Sequence, residues 1–224
     1  MDMIDKLSRL PLRTLGAAAL ALGAGGVAAF VPAQSATAAA EAVPPQVNEA
    51  VTALRDISTM QADFVQTDRT GQRVSGVLTM KRPGRIRFQY QDGVPLLIVS
   101  DGKALTMIDY EVRQVQRWPI KNSPLGALLD PNRDVARYAR LIPTGHPDVL
   151  SLEAKDPKHP EYGTITMIFM RDASAPGGWQ LDSWVALDSQ NKRTTIRLSN
   201  QKYGMSVSNN MFRWKDPRRS APGR

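Results

Sequence analysis

The chain has 224 residues, 29 Lys and Arg against 21 Asp and Glu, a net charge of +8, and no cysteine. Disulfides and thiol chemistry are therefore excluded, and a metal site would have to do without thiolate ligands. The positive balance suits anionic partners such as phospholipid headgroups, lipopolysaccharide or acidic protein surfaces, or it serves solubility alone.

Residues 1–40 read as a cleavable signal peptide that exports the chain. Lys6, Arg9 and Arg13 precede a run rich in Ala, Leu and Gly over Thr14 to Val31, and small residues follow at Ala33 to Ala40. An Ala-x-Ala pattern places the cut after Ala38 or Ala40. An uncleaved membrane anchor is the alternative. No Cys follows for lipid attachment, and no Arg pair points to the twin-arginine route. The rest carries a net charge of +7 and suits one domain, 41–217, before a basic tail at 218–224 that reads as disordered.

Pro44-Pro45 opens a predicted helix running to about Thr59. Val47, Ala50, Val51, Leu54 and Ile57 recur at three- and four-residue steps and form one apolar stripe. Met60 to Thr67 changes to strand-like alternation around Phe64, Thr70-Gly71-Gln72 turns, and Arg73 to Met80 is the next strand. The segment Lys81 to Trp118 is a predicted antiparallel meander. In Arg85 to Tyr90 the side chains of Ile86, Phe88 and Tyr90 fall on one face and Arg85, Arg87 and Gln89 on the other. Asp101-Gly102 marks a tight hairpin turn.

Past Trp118 the alternation stops. Ser123 and Pro124 read as the cap and first position of a short apolar helix through Leu125, Ala127, Leu128 and Leu129, halted by Asp130-Pro131. A further helical turn is expected within Asn132 to Tyr138. Strands resume at Val149 to Ala154, Gly163 to Met170, Trp179 to Leu187 and Thr194 to Leu198. The pattern predicts an α+β fold: a strongly curved antiparallel sheet with helices against its concave side.

Catalytic chemistry is hard to find. His146 and His159 lie in loops without zinc spacing, and no nucleophile elbow, Walker loop or dinucleotide fingerprint appears. Asp92, Asp101, Asp188 and Asp216 sit at turns, where Asp is favoured locally. Asp109 and Glu111 read as a solvated edge. Arg85 and Arg87 alternate with Phe88 and Tyr90 on the opposite face, which argues against a nucleic-acid stacking platform. What remains is an apolar face of Ile86, Phe88, Leu105, Met107, Ile165, Met167, Phe169, Trp184 and Ile196. Methionine can re-pack around an irregular guest, but ordinary core filling explains the same composition.

These motifs, in this order, resemble the LolA family of periplasmic carriers of outer-membrane lipoproteins. The resemblance is carried by Ala62, Phe64 and Gln66; Ser75-Gly76; Lys81 to Gly84 with Phe88-Gln89-Tyr90; Ile98 to Lys103; Tyr110-Glu111 before Gln114-Val115; Ser123 to Leu129; and Phe212 with Pro217. It implies an incomplete, half-open antiparallel β-barrel whose helical lid covers a hydrophobic cavity for acyl chains. By the same resemblance Arg82 holds the lid shut, with Leu54, Leu128 and Leu129 as lid positions. Ile86 and Phe88 match cavity-lining positions, and Leu105, Met107, Met167, Phe169 and Trp184 extend that lining.

The resemblance further implies a monomer without enzymatic activity, cofactor, metal or nucleic acid. Its partners would be acylated lipoproteins, an inner-membrane ATP-driven releasing complex and an outer-membrane receptor lipoprotein. A LolA-like binder of free lipid or glycolipid, or a lipid-sensing signalling protein, is the alternative. The sequence departs from the family pattern at Ile86 (for Phe), in the Pro- and Gly-rich segments 154–162 and 173–178, and at the C-terminus, where no final hook is expected.

Overall fold

The computed structural model describes residues 43–123, 125–129 and 134–218; the signal-peptide reading of 1–40 and most of the basic tail lie outside them. Its framework is one antiparallel sheet of eleven strands. The first six are β1 (Thr59–Thr67), β2 (Arg73–Lys81), β3 (Arg85–Tyr90), β4 (Leu96–Asp101), β5 (Ala104–Asp109) and β6 (Gln114–Pro119). They form a meander. The second meander contains β7 (Ala139–Ile142), β8 (Val149–Lys155), β9 (Thr164–Arg171), β10 (Trp179–Leu187) and β11 (Arg193–Tyr203).

The spatial order is β6-β5-β4-β3-β2-β1-β11-β10-β9-β8-β7, so the first and last strands pair in the middle. The two edges, β6 and β7, are not paired with each other, and the barrel is incomplete. Register shifts at Gln61/Asp63 and Leu181/Ser183 interrupt the ladders. Such bulges bend a strand and sharpen its twist.

Alternation decides which way each strand faces. On β3, Ile86, Phe88 and Tyr90 are buried while Gln89 is exposed. The hairpin between β4 and β5 forms as expected: Asp101 Oδ1 accepts from the N–H groups of Lys103 and Ala104 at 2.8 and 2.9 Å, and Gly102 has φ +100°. This turn abuts the one before β3. A Cβ on Gly84 would lie 2.9 Å from the Gly102 carbonyl oxygen, so side chains are excluded where the turns meet.

Helix α1 (Pro45–Asp56) ends three residues before the expected Thr59, which instead begins β1. Its buried stripe of Val47, Ala50, Val51, Ala53 and Leu54 packs on β7, β8 and β10. A twelve-residue helix is marginal alone, so this contact supplies its stability. Gly177 permits the close approach: with φ +66°, a Cβ there would lie 2.8 Å from Ala53 Cα.

Helix α2 (Gly126–Leu129) is a single turn between the two meanders. Ser123 does not cap it. Its hydroxyl donates to the Ile120 carbonyl at 2.9 Å, closing a 3-10 turn at Ile120–Asn122. Pro124 lies outside the described residues, as does the start of the turn expected from Asn132, which appears as a 3-10 helix at Val135–Arg137.

Two apolar clusters result. The larger joins α1 and α2 to the inward side chains of both meanders. The smaller lies on the other side of the sheet, where Val207 and Phe212 pack on Leu97, Val99 and Ile108. Residues 204–214 thus form a strap over β3–β5, including a 3-10 helix at Asn209–Phe212. Val207 and Phe212 find an apolar patch that the alternation of distant strands had left uncovered; the chain beyond residue 218, where no final hook is expected, lies outside the described residues.

Candidate functional site

One side chain joins both helices to the sheet. Arg82 follows β2, and its main-chain N–H donates to the Ser58 carbonyl at 2.9 Å. Its Nε donates to the Ile57 carbonyl at 3.1 Å, and one terminal nitrogen donates to the carbonyls of Leu54 and, at 3.4 Å, Leu128. The first two acceptors stand at the C-terminal end of α1, whose last carbonyls lack intrahelical partners and carry the negative end of the helix dipole. The third belongs to α2. One guanidinium therefore links both helices to the end of β2. Burial, and then the neighbouring Arg55, pull its pKa below the usual arginine value.

Beneath the helices lies an apolar interior. Ile86, Phe88, Leu105, Met167, Phe169 and Trp184 are all buried there, with Leu54, Leu128 and Leu129 above them in the same cluster. Met107 is half-buried, on β5 opposite Gln116 of the edge strand β6. The aromatic rings interlock edge to face: Phe64 is 5.3 Å from both Phe88 and Tyr90, and Phe88 is 6.3 Å from Trp184. The interior is closed to solvent by its own side chains and the two helices.

Sequence reasoning missed several of these participants. The Ile57 carbonyl is an acceptor that no side-chain motif announces. Phe64 and Tyr90 are ring partners at the centre, and the Tyr90 hydroxyl donates to Gln66 Oε1 at 2.7 Å. Alternation on β1 and β3 marked both rings as inward candidates, but not their mutual contact. Glu49 fixes α1 from its exposed side by accepting from Trp179 Nε1 at 3.3 Å.

The other candidate chemistry stays dispersed. His146 lies beside a rim cleft of about 420 Å³ and accepts at Nδ1 from the Asp148 N–H. His159 stacks on Tyr162 and contacts Glu161 at 3.0 Å. Among the described residues no three His, Cys, Asp or Glu converge as metal ligands, and no helix is long and apolar enough to cross a membrane. Asp109 corrects the solvated-edge expectation. It is buried, because its carboxylate accepts from the N–H groups of Glu111 and Val112 at the tip of the β5–β6 hairpin.

An outer-membrane lipoprotein carrier protein of Chromobacterium violaceum is 31% identical over 169 residues, covering 71% of this chain and 78% of its own. One from Legionella pneumophila is 26% identical over 179 residues, covering 74% and 83% respectively. The crystal structure of a LolA superfamily protein from Nitrosomonas europaea aligns with a TM-score of 0.43 at 10% identity, over 74% of this chain and 97% of that one. The family profile described as outer membrane lipoprotein carrier protein LolA matches residues 55–215, from the end of α1 through the strap, and the chain belongs to that family.

Proposed function

We propose that the protein is a periplasmic carrier that receives the acyl chains of lipoproteins released from the inner membrane and delivers them to the outer membrane. The work is binding and release, with no covalent step. Residues 1–40 direct export and are removed. Upstream, an ATP-driven inner-membrane complex loads the carrier; downstream, an outer-membrane receptor lipoprotein unloads it.

The observation that carries this reading is the single guanidinium joined to main-chain carbonyls of both helices above an apolar interior. Transfer of an acyl chain out of water is worth about 0.8 kcal/mol per methylene, so a lipoprotein needs an enclosed apolar path. A carrier must also let go. Entry of acyl chains parts α1 and α2 and breaks the Arg82 bonds, which together are worth about 2 kcal/mol net for a half-buried charged donor that water solvates once they open. The loaded state is thereby raised, and closing the emptied lid recovers those bonds. Handover to a more apolar acceptor then runs downhill without ATP.

Methionines ease the change. Met60, Met80 and Met167 line the interior beside the rings, and unbranched thioether chains adapt to irregular guests. The test is Arg82→Leu, which removes the donors and keeps an apolar stem. It should load lipoprotein as the wild type does and transfer it poorly to outer-membrane acceptors. Equal transfer would remove Arg82 from the mechanism. Native mass spectrometry of the protein recovered from the periplasm tests the guest: an acylated polypeptide adduct supports the carrier, whereas a small-lipid adduct makes it a binder of free lipid.

A further inference from the structure

The strap and the β5–β6 hairpin together present a surface that the guest-binding interior does not use. At the hairpin tip, Tyr110 and Val112 are exposed, Val112 by 60%. On the strap, Met211 is exposed too. Arg87 ties the two pieces together. It donates to the Met211 and Arg213 carbonyls at 3.0 and 3.2 Å and lies within electrostatic reach of Tyr110. Around these apolar side chains stand the exposed cations Arg113, Arg213 and Lys215. Acidic counterweights are few: Asp109 is buried in its turn and Asp216 is ion-paired with Arg218, which leaves Glu111 at the tip.

Exposed apolar residues scattered singly mean little. Here they are gathered beside cations on one side of the sheet, on two segments joined by Arg87. Apolar and aromatic tips ringed by Arg and Lys suit the boundary between lipid headgroups and acyl chains, where rings and thioethers enter shallowly and cations meet anionic phosphates. The positive balance of the whole chain, +8, favours the same approach. We infer that this patch of hairpin tip and strap is a docking surface for an anionic lipid bilayer. It holds the carrier transiently against a membrane with its interior facing away.

This inference stands apart from the carried guest, so it is tested without one. The purified protein is co-sedimented with vesicles of phosphatidylcholine alone and with vesicles containing about a third phosphatidylglycerol. Binding is expected only to the anionic vesicles and should weaken as salt rises past about 0.15 M. The pair Arg113→Asn and Arg213→Gln should lower vesicle affinity about tenfold or more. Asn is chosen at 113 because that residue has φ +53°, which Asn tolerates. Val112→Ser should lower the affinity further, with the thermal midpoint unchanged.

A matched pair, Arg193→Gln and Arg197→Gln, removes two exposed cations from β11 instead. If that pair weakens binding as much as the patch variant, net charge and not the patch is responsible, and the inference fails. It fails equally if neutral vesicles bind as well as anionic ones. Binding to soluble polyglutamate but to neither vesicle would also overturn it, and would assign the surface to an acidic protein.

Discussion

On the concave side of the sheet, α1 and α2 are joined to its rim through one guanidinium. On the convex side, residues 204–214 are held from three strands at once. Lys81 Nζ donates to the Val207 carbonyl at 2.7 Å, Arg87 to those of Met211 and Arg213, and Thr59 Oγ1 to that of Met205 at 2.8 Å. Lys81 and Arg82 are adjacent in the chain yet serve opposite covers. The strap's polar anchors are spread over three strands, whereas both helices share one guanidinium, and α1 has a further bond from Trp179 to Glu49. In the proposed carrier the strap stays in place while the helices part.

Substitutions at matched rings should give the largest effects. Phe88→Ala opens a hole among Phe64, Trp184 and the helices, and should cost about 4 kcal/mol in urea unfolding. Phe212→Ala, at the thinner outer cluster, should cost about 2–3 kcal/mol because the strap can settle into the space. Equal losses would make the strap part of the main core and erase the contrast.

Gly177→Ala comes next, at about 2 kcal/mol, since it adds a Cβ against Ala53 and strains a positive-φ residue. Hydrogen exchange should show the loss concentrated in α1. Arg82→Leu and Lys81→Met should each cost about 1–2 kcal/mol, with different signatures. The first should speed amide exchange at the C-terminal end of α1. The second should leave the strap as resistant to brief proteolysis as before, because Arg87 and Thr59 still hold it; rapid cleavage there would show that its anchors are not redundant.

The smallest effect concerns pH. Burial raises the pKa of Asp101, but the N–H groups of Ala104 and Lys103 and the Arg117 guanidinium, 2.6 Å away, outweigh it and hold the carboxylate below its usual range. A depressed folded-state pKa stabilises above the unfolded value, near pH 4, and that stabilisation fades as pH falls through the folded value. The wild type should therefore exceed Asp101→Asn slightly in urea midpoint at neutral pH, and the gap should close in acid.

Strong alternation made the central meander legible: the inward set on β3 and the Asp-Gly hairpin both stand where the residues placed them. The edge strand β7 was not, because Ala139–Ile142 is too short to show a period. β11 runs to Tyr203, past the expected Leu198, since pairing with β1 carries polar residues that have no strand signature of their own. The Arg82 position was reached through the family resemblance. Its carbonyl acceptor at Ile57 and the strap's packing arise from chain segments brought together only by the fold, and local patterns carry no trace of them.

Because β1 and β11 pair at the centre of the sheet, the free margins β6 and β7 lie at the far ends of the strand order. They can draw apart while every interstrand ladder stays intact, with the bend taken up at the bulges. In the chain, the segment from Pro119 to Ala139, which contains α2, connects these two margins. Under the proposed carrier function, a bulkier guest is admitted by flexing a continuous sheet, much as a cuff widens at its slit.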